Sequence, residues 1–487
     1  MQIKPAKRKH RNRRLGSTVR RLRRNQGMTQ VRLAEELGIS APYLNLIEHN
    51  QRSIPAELLV KFADLFGVEL RDLLNSDDDR LLSDLMEAFG DVSFGEHDVT
   101  NIDLNDIAGA HPVVARAILS LYDEYRGVKS DLAALSEKRS LEGETKFVAN
   151  STLPSDAVSD FIQDNSNYFP SLEDAATRVR AEAGLSADPY RELIAYVERR
   201  FEGISVAILP AAARSIRHGT IRRFDPVSRT LAISELLSLK ARKFQIAHQI
   251  GLMGASKEIE KLLDAGDLIE GETRALGRVA LANYFAAALL MPYEEFLSAA
   301  QNVRYDVEML EHRFDVSFEQ VCHRLTTLHK PGQQGIPFHM LRVDIAGNTS
   351  KRFSASGLQI PRHGGACPRW NVYSAFMTPG RIHTQLGQWP DGSSYFCIAR
   401  SVRKRGGRYG VSESYYSIGL GCDSRYAADL VYGDGLDLDD PAKAVPVGIS
   451  CRTCERMDCR QRAFPPMNHR LDIDENSRGL SAYVTAR

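Results

Sequence analysis

From Leu15 to Leu74 apolar side chains recur every three to four residues in four short blocks: Leu15, Val19 and Leu22, then Leu33, Ala34 and Leu37, then Tyr43, Leu44 and Ile47, then Leu58, Leu59, Phe62 and Phe66. Helices this short are marginal alone and persist by packing their apolar stripes together, which predicts a small all-helical domain. Thr29 is placed to N-cap a helix opening Gln30-Val31-Arg32-Leu33-Ala34, Gly38 supplies the turn, and Ser40 caps a second helix to about His49. Helix, glycine-containing turn and helix is the geometry that sets a recognition helix in the DNA major groove. Such a helix packs one side and offers small or polar groups near its N-terminus to base edges. Here Tyr43, Leu44 and Ile47 form the packing side, and Ala41, Pro42 and Asn45 are left near the bases.

Charge supports that reading. The formal net charge is only +1, yet residues 1–24 hold eleven Lys or Arg, and the first acidic side chain is Glu35. An uneven distribution of this kind is a nucleic-acid footprint. Residues 1–14 (MQIKPAKRKHRNRR) have too few apolar groups to offset ordering entropy and are expected to form a disordered basic arm that contacts DNA.

A chain of 487 residues with 43% hydrophobic content holds several cores. Nothing in it approaches the roughly 18 consecutive apolar residues of a membrane span, and the basic N-terminus leads into an amphipathic helix rather than a signal sequence, so a cytoplasmic protein is expected. Seven cysteines, three of them between positions 451 and 459, suit a reducing compartment with a metal or redox site better than a disulfide framework.

The pattern divides the chain into a basic arm (1–14), the helix-turn-helix head (15–75), a helical connector (76–150), a mixed α+β middle (173–328) and a C-terminal α+β sensor domain (336–487). The stretch 149–172, rich in Ser, Asn, Asp and Pro, and the linker 329–335 (HKPGQQG) mark boundaries. A connector helix from Pro112 carries Val114, Ile118, Leu121 and Tyr122, which either dimerises or packs in a core. In the middle region 203–209 (GISVAIL) and 230–234 read as strands, and 238–253 and 273–291 as helices.

The stretch MTQVRLAEELGISAPYLNLIEHNQRSIP closely resembles the Xre/Cro-like helix-turn-helix family over about 60 residues. The resemblance implies sequence-specific operator binding. By position, Gln30 and Tyr43 contact phosphates, Ser40, Ala41, Pro42 and Asn45 lie at the base-facing end of the recognition helix, and Asn50 and Arg52 clamp the backbone beyond it. Such modules act as dimers on half-sites about 34 Å apart, so a homodimer or higher homo-oligomer is expected.

FQIAHQIGL at 244–252, followed by ANYFAAALLMP at 282–292, resembles the core helices of IrrE-type metallopeptidases fused to Xre-like regulators. An active HExxH helix presents two His ligands one turn apart with Glu as general base. Here the positions read His248-Gln249-Ile250-Gly251-Leu252, and Leu281 stands where the family commonly supplies an acidic ligand. Gln249 cannot take a proton at neutral pH, Leu252 cannot bind zinc, and one His is too few for a catalytic zinc. The chain is therefore expected to keep the fold as a scaffold or ligand pocket, not as an enzyme, with His248 an interior hydrogen-bonded histidine.

CRTCERMDCRQRAFPP at 451–466 places Cys451, Cys454 and Cys459 at C-x2-C-x4-C, a spacing that converges on one ion or cluster. A closed site needs a fourth ligand; Cys367, in GGACPRW, is the first candidate and Cys422 the second, while Cys322 and Cys397 read as ordinary buried thiols. Four thiolates suit Zn²⁺ or an iron–sulfur cluster equally by spacing.

With GGACPRWNVYSAFMTPGRI and the peptidase-like middle, this segment resembles the short-chain fatty acyl transcriptional regulator family, over nearly the whole chain. The resemblance implies a regulator of propionate or acetate metabolism, an acyl-CoA effector such as propionyl-CoA, and a [4Fe-4S] cluster rather than zinc. Such an effector needs cations for its phosphates and an apolar slot for its acyl chain. Arg400, Arg403, Lys404, Arg405 and Arg408 form a basic stretch suited to the first need; Trp370, Tyr373 and Phe376 are either a wall of the slot or core. The expected mechanism is a two-state switch in which the effector changes operator affinity. The rivals are a redox-sensing iron–sulfur regulator and, against the residues at 249, 252 and 281, a DNA-binding metallopeptidase.

Overall fold

A computed structural model describes residues 16–48, 52, 54–67, 77–90, 99–139, 154–210, 220–268, 271–361, 366–404, 413–437, 440, 443–451 and 454–465. The basic arm, Asn50, Arg405 and Arg408 lie outside these residues. The chain divides into two compact units, Met1–Gly143 and Glu144–Arg487.

The first unit begins with four short helices, α1 (Gly16–Asn25), α2 (Gln30–Leu37), α3 (Ala41–Glu48) and α4 (Ala56–Phe66). Their stripes meet in one cluster of Val19, Leu33, Ala34, Leu37, Leu44, Ile47, Leu58, Phe62 and Phe66. Leu33, Leu44, Ile47 and Phe62 are completely buried, each stabilising the head by about 1.5–3 kcal/mol. The connector helices α5 (Asp77–Phe89), α6 (Asn101–Ala110) and α7 (Pro112–Arg139) close a separate core of Leu81, Leu85, Leu104, Ala108 and Ala115. A reciprocal capping box of Thr100 and Asp103 starts α6. On α7, Ala115 and Tyr122 face inward, while Val114, Leu121 and Tyr125 are exposed.

The second unit opens with α8 (Pro154–Asp164), α9 (Pro170–Ala183) and α10 (Pro189–Arg200), then β1 (Ser205–Leu209), β2 (Arg222–Asp225) and β3 (Thr230–Ser234). These strands form a sheet of order β1-β3-β2, with β1 parallel and β2 antiparallel to β3. Six helices follow: α11 (Leu239–Gly254), α12 (Ser256–Ala265), α13 (Gly271–Leu290), α14 (Tyr293–Asn302), α15 (Val307–Arg313) and α16 (Phe318–Leu325). Gly251 lets α11 lie against α13, since a Cβ there would stand 2.8 Å from the Phe285 ring. No single helix among the described residues is long and apolar enough to cross a membrane; the bent pair α13 and α14 passes by composition because it supplies core residues.

The remainder is β4 (His339–Asp344), β5 (Thr349–Ser354), a short α17 (Asn371–Ser374), β6 (His383–Gln388), β7 (Ser394–Lys404), β8 (Ser414–Asp423) and β9 (Val445–Pro446). The strands make one sheet of order β5-β4-β8-β7-β6-β9, antiparallel except for β6 with β9. Strand alternation splits its side chains between two cores. Met340, Phe396, Ile398, Ile418 and Leu420 join the large cluster built by the preceding helices, whereas Leu341, Val343 and Ala399 pack beneath Trp370, Val372, Trp389 and Val447. The middle and C-terminal segments therefore share one continuous core.

Candidate functional site

The head builds its surface from local signals. Thr29 accepts from the Arg32 N–H at 3.3 Å, Gly38 ends α2 at φ 69, and Ser40 accepts from the Tyr43 N–H at 3.3 Å. The Arg23 guanidinium donates to the buried Glu48 carboxylate at 2.6 and 3.0 Å, tying α1 to α3. Burial pushes the Glu48 pKa up, but the Arg23 and Gln30 hydrogen bonds and the Arg23 charge outweigh it and hold the carboxyl below its ordinary value.

Gln30 donates to Glu48 at 2.7 Å and to Asn45 at 3.2 Å, so the residue expected at a phosphate also orders the start of α2 against α3. Ser40, Pro42 and Asn45 are exposed, and Ala41 and Tyr43 are half-buried. Arg52 is exposed, with its guanidinium 5.4 Å from the Tyr43 ring centroid. Two pairs thus stand at the head's surface, Gln30 with Asn45 and Tyr43 with Arg52.

In the second unit His248 is almost fully buried on α11, its Nδ1 against the Arg222 guanidinium of β2. Burial and the Arg222 charge push its pKa down to about 4. A fixed cation thus stands beside the histidine that a zincin would use as a ligand. Leu281 is buried in the core, and Gln249 is buried on α11.

Cys451 is buried, and its Sγ accepts from the Ala463 N–H at 3.3 Å. The buried Arg462 guanidinium donates to the carbonyls of Cys451, of Cys454 at 2.8 Å and of Arg456 at 2.7 Å, closing the segment into a compact knuckle. Cys367 comes to it through backbone pairing: its N–H donates to the Ile449 carbonyl at 2.8 Å, and Trp370 Nε1 donates to the Gly448 carbonyl at 3.0 Å. Burial, and then the neighbouring Cys451 and Cys454, push the Cys367 thiol up. Burial likewise raises Cys454, which also feels Cys459 and the opposing charge of Arg462. Cys451 and Cys454 thus lie near Cys367, and Cys459 near Cys454, while among the described residues no three His, Cys, Asp or Glu side chains are arranged to hold a metal ion. Soft thiol donors, one backbone N–H to sulfur and a buried guanidinium suit a thiolate-bound group. Cys422 is elsewhere, in the large core near Cys397.

The expected basic stretch is largely committed. Arg400 lies 3.0 Å from Glu311 and 3.4 Å from Glu308, Arg403 pairs with Glu413, and Lys404 lies 3.0 Å from Glu319. A phosphate reaching Arg400 or Arg403 would have to displace those carboxylates. Trp370 lines a small cavity of about 20 Å³ with Leu341, Leu358, Val372, Trp389 and Cys397, whereas Tyr373 and Phe376 pack into the core beside it. Neither the cavity nor the carboxylate partners carried a sequence signal, because they arise from the packing of strands against each other and against helices.

Family models match three segments: helix-turn-helix over residues 19–73, the IrrE N-terminal-like domain of the M78 peptidases over 202–326, and the C-terminal domain of short-chain fatty acyl coenzyme A regulators over 327–483. The HTH-type transcriptional regulator RamB of Mycobacterium tuberculosis is 38% identical over 477 residues, covering 96% of this chain and 98% of that one. The chain belongs to the short-chain fatty acyl coenzyme A regulator family. It is a DNA-binding transcriptional regulator, multidomain and of mixed α and β structure. The regulator is also 38% identical to PrpR of M. tuberculosis over 465 residues, covering 95% of this chain and 94% of that one. With the propionyl-CoA carboxylase regulator of Cereibacter sphaeroides it shares 40% over 468 residues, covering 96% and 98%. A solved structure described as a Mycobacterium tuberculosis transcriptional regulator superimposes with TM-score 0.64 at 42% identity, over 68% of this chain and all of that one.

Proposed function

We propose that the regulator binds operator DNA through α3, as a cytoplasmic homodimer or higher homo-oligomer, and that a short-chain acyl-CoA such as propionyl-CoA acts on its C-terminal half to change operator affinity. The observation that carries this reading is the near end-to-end similarity to a protein named for regulating propionyl-CoA carboxylase, together with the acyl-CoA regulator model over 327–483. Val114, Leu121 and Tyr125, exposed on one helical face of α7, support self-association.

Cys367, Cys451, Cys454 and Cys459 are the residues that would hold a [4Fe-4S] cluster, or Zn²⁺ in its place. A thiolate-bound cluster supplies a cross-link between the 366–370 turn and the 451–459 knuckle, and a site that responds to oxidation. Arg462 holds the knuckle carbonyls and offsets thiolate charge. The nearness of Cys367 to Cys451 and Cys454 favours, as a second reading, a regulator for which the cluster itself is the signal. The M78-like segment serves in both readings as scaffold, because Arg222 occupies the space beside His248.

The deciding experiment measures operator-fragment binding by anaerobically purified protein, titrated with propionyl-CoA, acetyl-CoA and CoA, with the visible spectrum recorded. A selective acyl-CoA effect supports metabolite sensing. Loss of operator binding on oxidation with no effect of any CoA species supports the redox reading, and a colourless, CoA-indifferent protein overturns both.

A further inference from the structure

We infer that the C-terminal half carries a site for a phosphate-type dianion, formed by Arg342, Lys351 and Lys404 around Glu319 on the helix-covered face of the six-stranded sheet. It deepens the acyl-CoA reading above, and rests on that reading only for the ligand's identity, the phosphates of coenzyme A.

The register of the sheet assembles the site. Arg342 on β4 stands opposite Lys351 on β5, and Lys404 lies two strands away at the end of β7. All three reach one carboxylate from the first turn of α16, with Glu319 at 2.7 Å from Arg342, 3.1 Å from Lys351 and 3.0 Å from Lys404. The Tyr416 ring on β8, between them, has the Arg342 guanidinium 4.7 Å and the Lys404 ammonium 5.6 Å from its centroid. Among the described residues no second carboxylate makes an ion pair with any of the three.

Charge counting separates this group from its neighbours. Arg324 has one buried carboxylate to itself, and Arg400 has two, Glu308 and Glu311. Around Glu319 three cations share one carboxylate, an excess of two positive charges. Like charges crowded near a protein surface repel, so an uncompensated group is costly. A tetrahedral phosphate, with its nearly two negative charges and several acceptor oxygens, supplies the missing compensation. His323 reports the local potential: its Nε2 lies 3.1 Å from Lys351 Nζ, and burial with the Lys351 charge pushes its pKa down to about 3. Lys351 and Lys404 are 39% and 52% exposed at their side chains, so an anion reaches them from solvent, and Glu319 acts as the internal counter-ion in its absence.

The test uses the full chain and two substitutions of opposite sign. In wild type, inorganic pyrophosphate should raise the thermal midpoint. The double variant Lys351→Gln/Lys404→Gln should lose that shift and bind propionyl-CoA about tenfold more weakly or worse, with propionyl-pantetheine, which lacks the pyrophosphate and 3′-phosphate, unaffected. Glu319→Gln should bind pyrophosphate more tightly than wild type, a gain that no merely structural role for Glu319 produces. Equal pyrophosphate responses in wild type and the double variant, or weaker binding by Glu319→Gln, overturn the site. If pyrophosphate acts through these residues while propionyl-CoA does not bind wild type, the acyl-CoA reading falls and the anion site stands. If propionyl-CoA binds wild type and the double variant alike, the site falls and the acyl-CoA reading stands.

Discussion

Arg324 and Glu173, 151 residues apart in the chain, meet in a two-pronged ion pair inside the larger unit, Nη1 to Oε1 at 2.6 Å and Nη2 to Oε2 at 2.9 Å. The Tyr284 hydroxyl donates to the same carboxylate at 2.6 Å, and Arg324 Nε donates to the Met291 carbonyl at 2.9 Å. Removing one partner leaves the other charge buried without compensation. Glu173→Gln should therefore lower unfolding stability by about 3–5 kcal/mol in a denaturant titration. A loss below about 1 kcal/mol, the level of exposed pairs, would show that solvent reaches Arg324 in solution.

On the DNA head, two substitutions should separate base reading from backbone binding. Asn45→Ala should lose about 1–3 kcal/mol of discrimination between operator and altered sites. Arg52→Ala should weaken binding across sequences and reduce the slope of log affinity against log salt by about 1. Affinities on operator and random fragments at several salt concentrations check both; an Asn45→Ala defect equal on the two DNAs would remove Asn45 from base readout.

Two buried histidines, His248 and His339, and the half-buried His323 give the larger unit an acid limit. Burial, then Arg222, holds His248 at about 4; burial, then Lys351, holds His323 at about 3; and burial holds His339 at about 3. In the unfolded chain each returns to about 6.5. Below that pH the unfolded state takes up protons that the folded state refuses, so this stability is fully present above about pH 6.5 and is lost as pH falls towards the folded values. For His248 alone the loss reaches about 3 kcal/mol by pH 4. Denaturation midpoints from pH 8 to 5 should fall below pH 7, less steeply in His248→Gln, and a flat profile would contradict the neutral buried state.

Gly421 sits between His339 and Cys397 in one row across β4, β8 and β7. The two side chains touch over it, Cys397 Sγ 3.4 Å from His339 Nε2, and an added Cβ would lie 2.5 Å from that nitrogen and 2.7 Å from the sulfur. Gly421→Ala should cost about 1–3 kcal/mol by overpacking and close part of the adjacent cavity. An unchanged thermal midpoint would mean the row is loose enough to part.

Much of the head was legible because its signals are local. Thr29, Gly38 and Ser40 act on backbone groups within a few residues, and the three- to four-residue apolar spacing sets which faces pack whatever else the chain does. The substitutions at 249, 252 and 281 were equally readable, since missing donors are missing in any fold. So was the crowding of three cysteines into 451–459. Long-range register decided the rest. Backbone pairing at Ile449, not spacing, brings Cys367 to the knuckle, and the same sheet puts Cys422 in the large core. Strand order turned the basic run at 400–404 into three different partnerships and added Arg342 and Lys351 to Lys404. Composition and periodicity fix which residues can be buried or charged; which charge meets which is a property of contacts between strands and helices far apart in the chain, and exists only once they have packed.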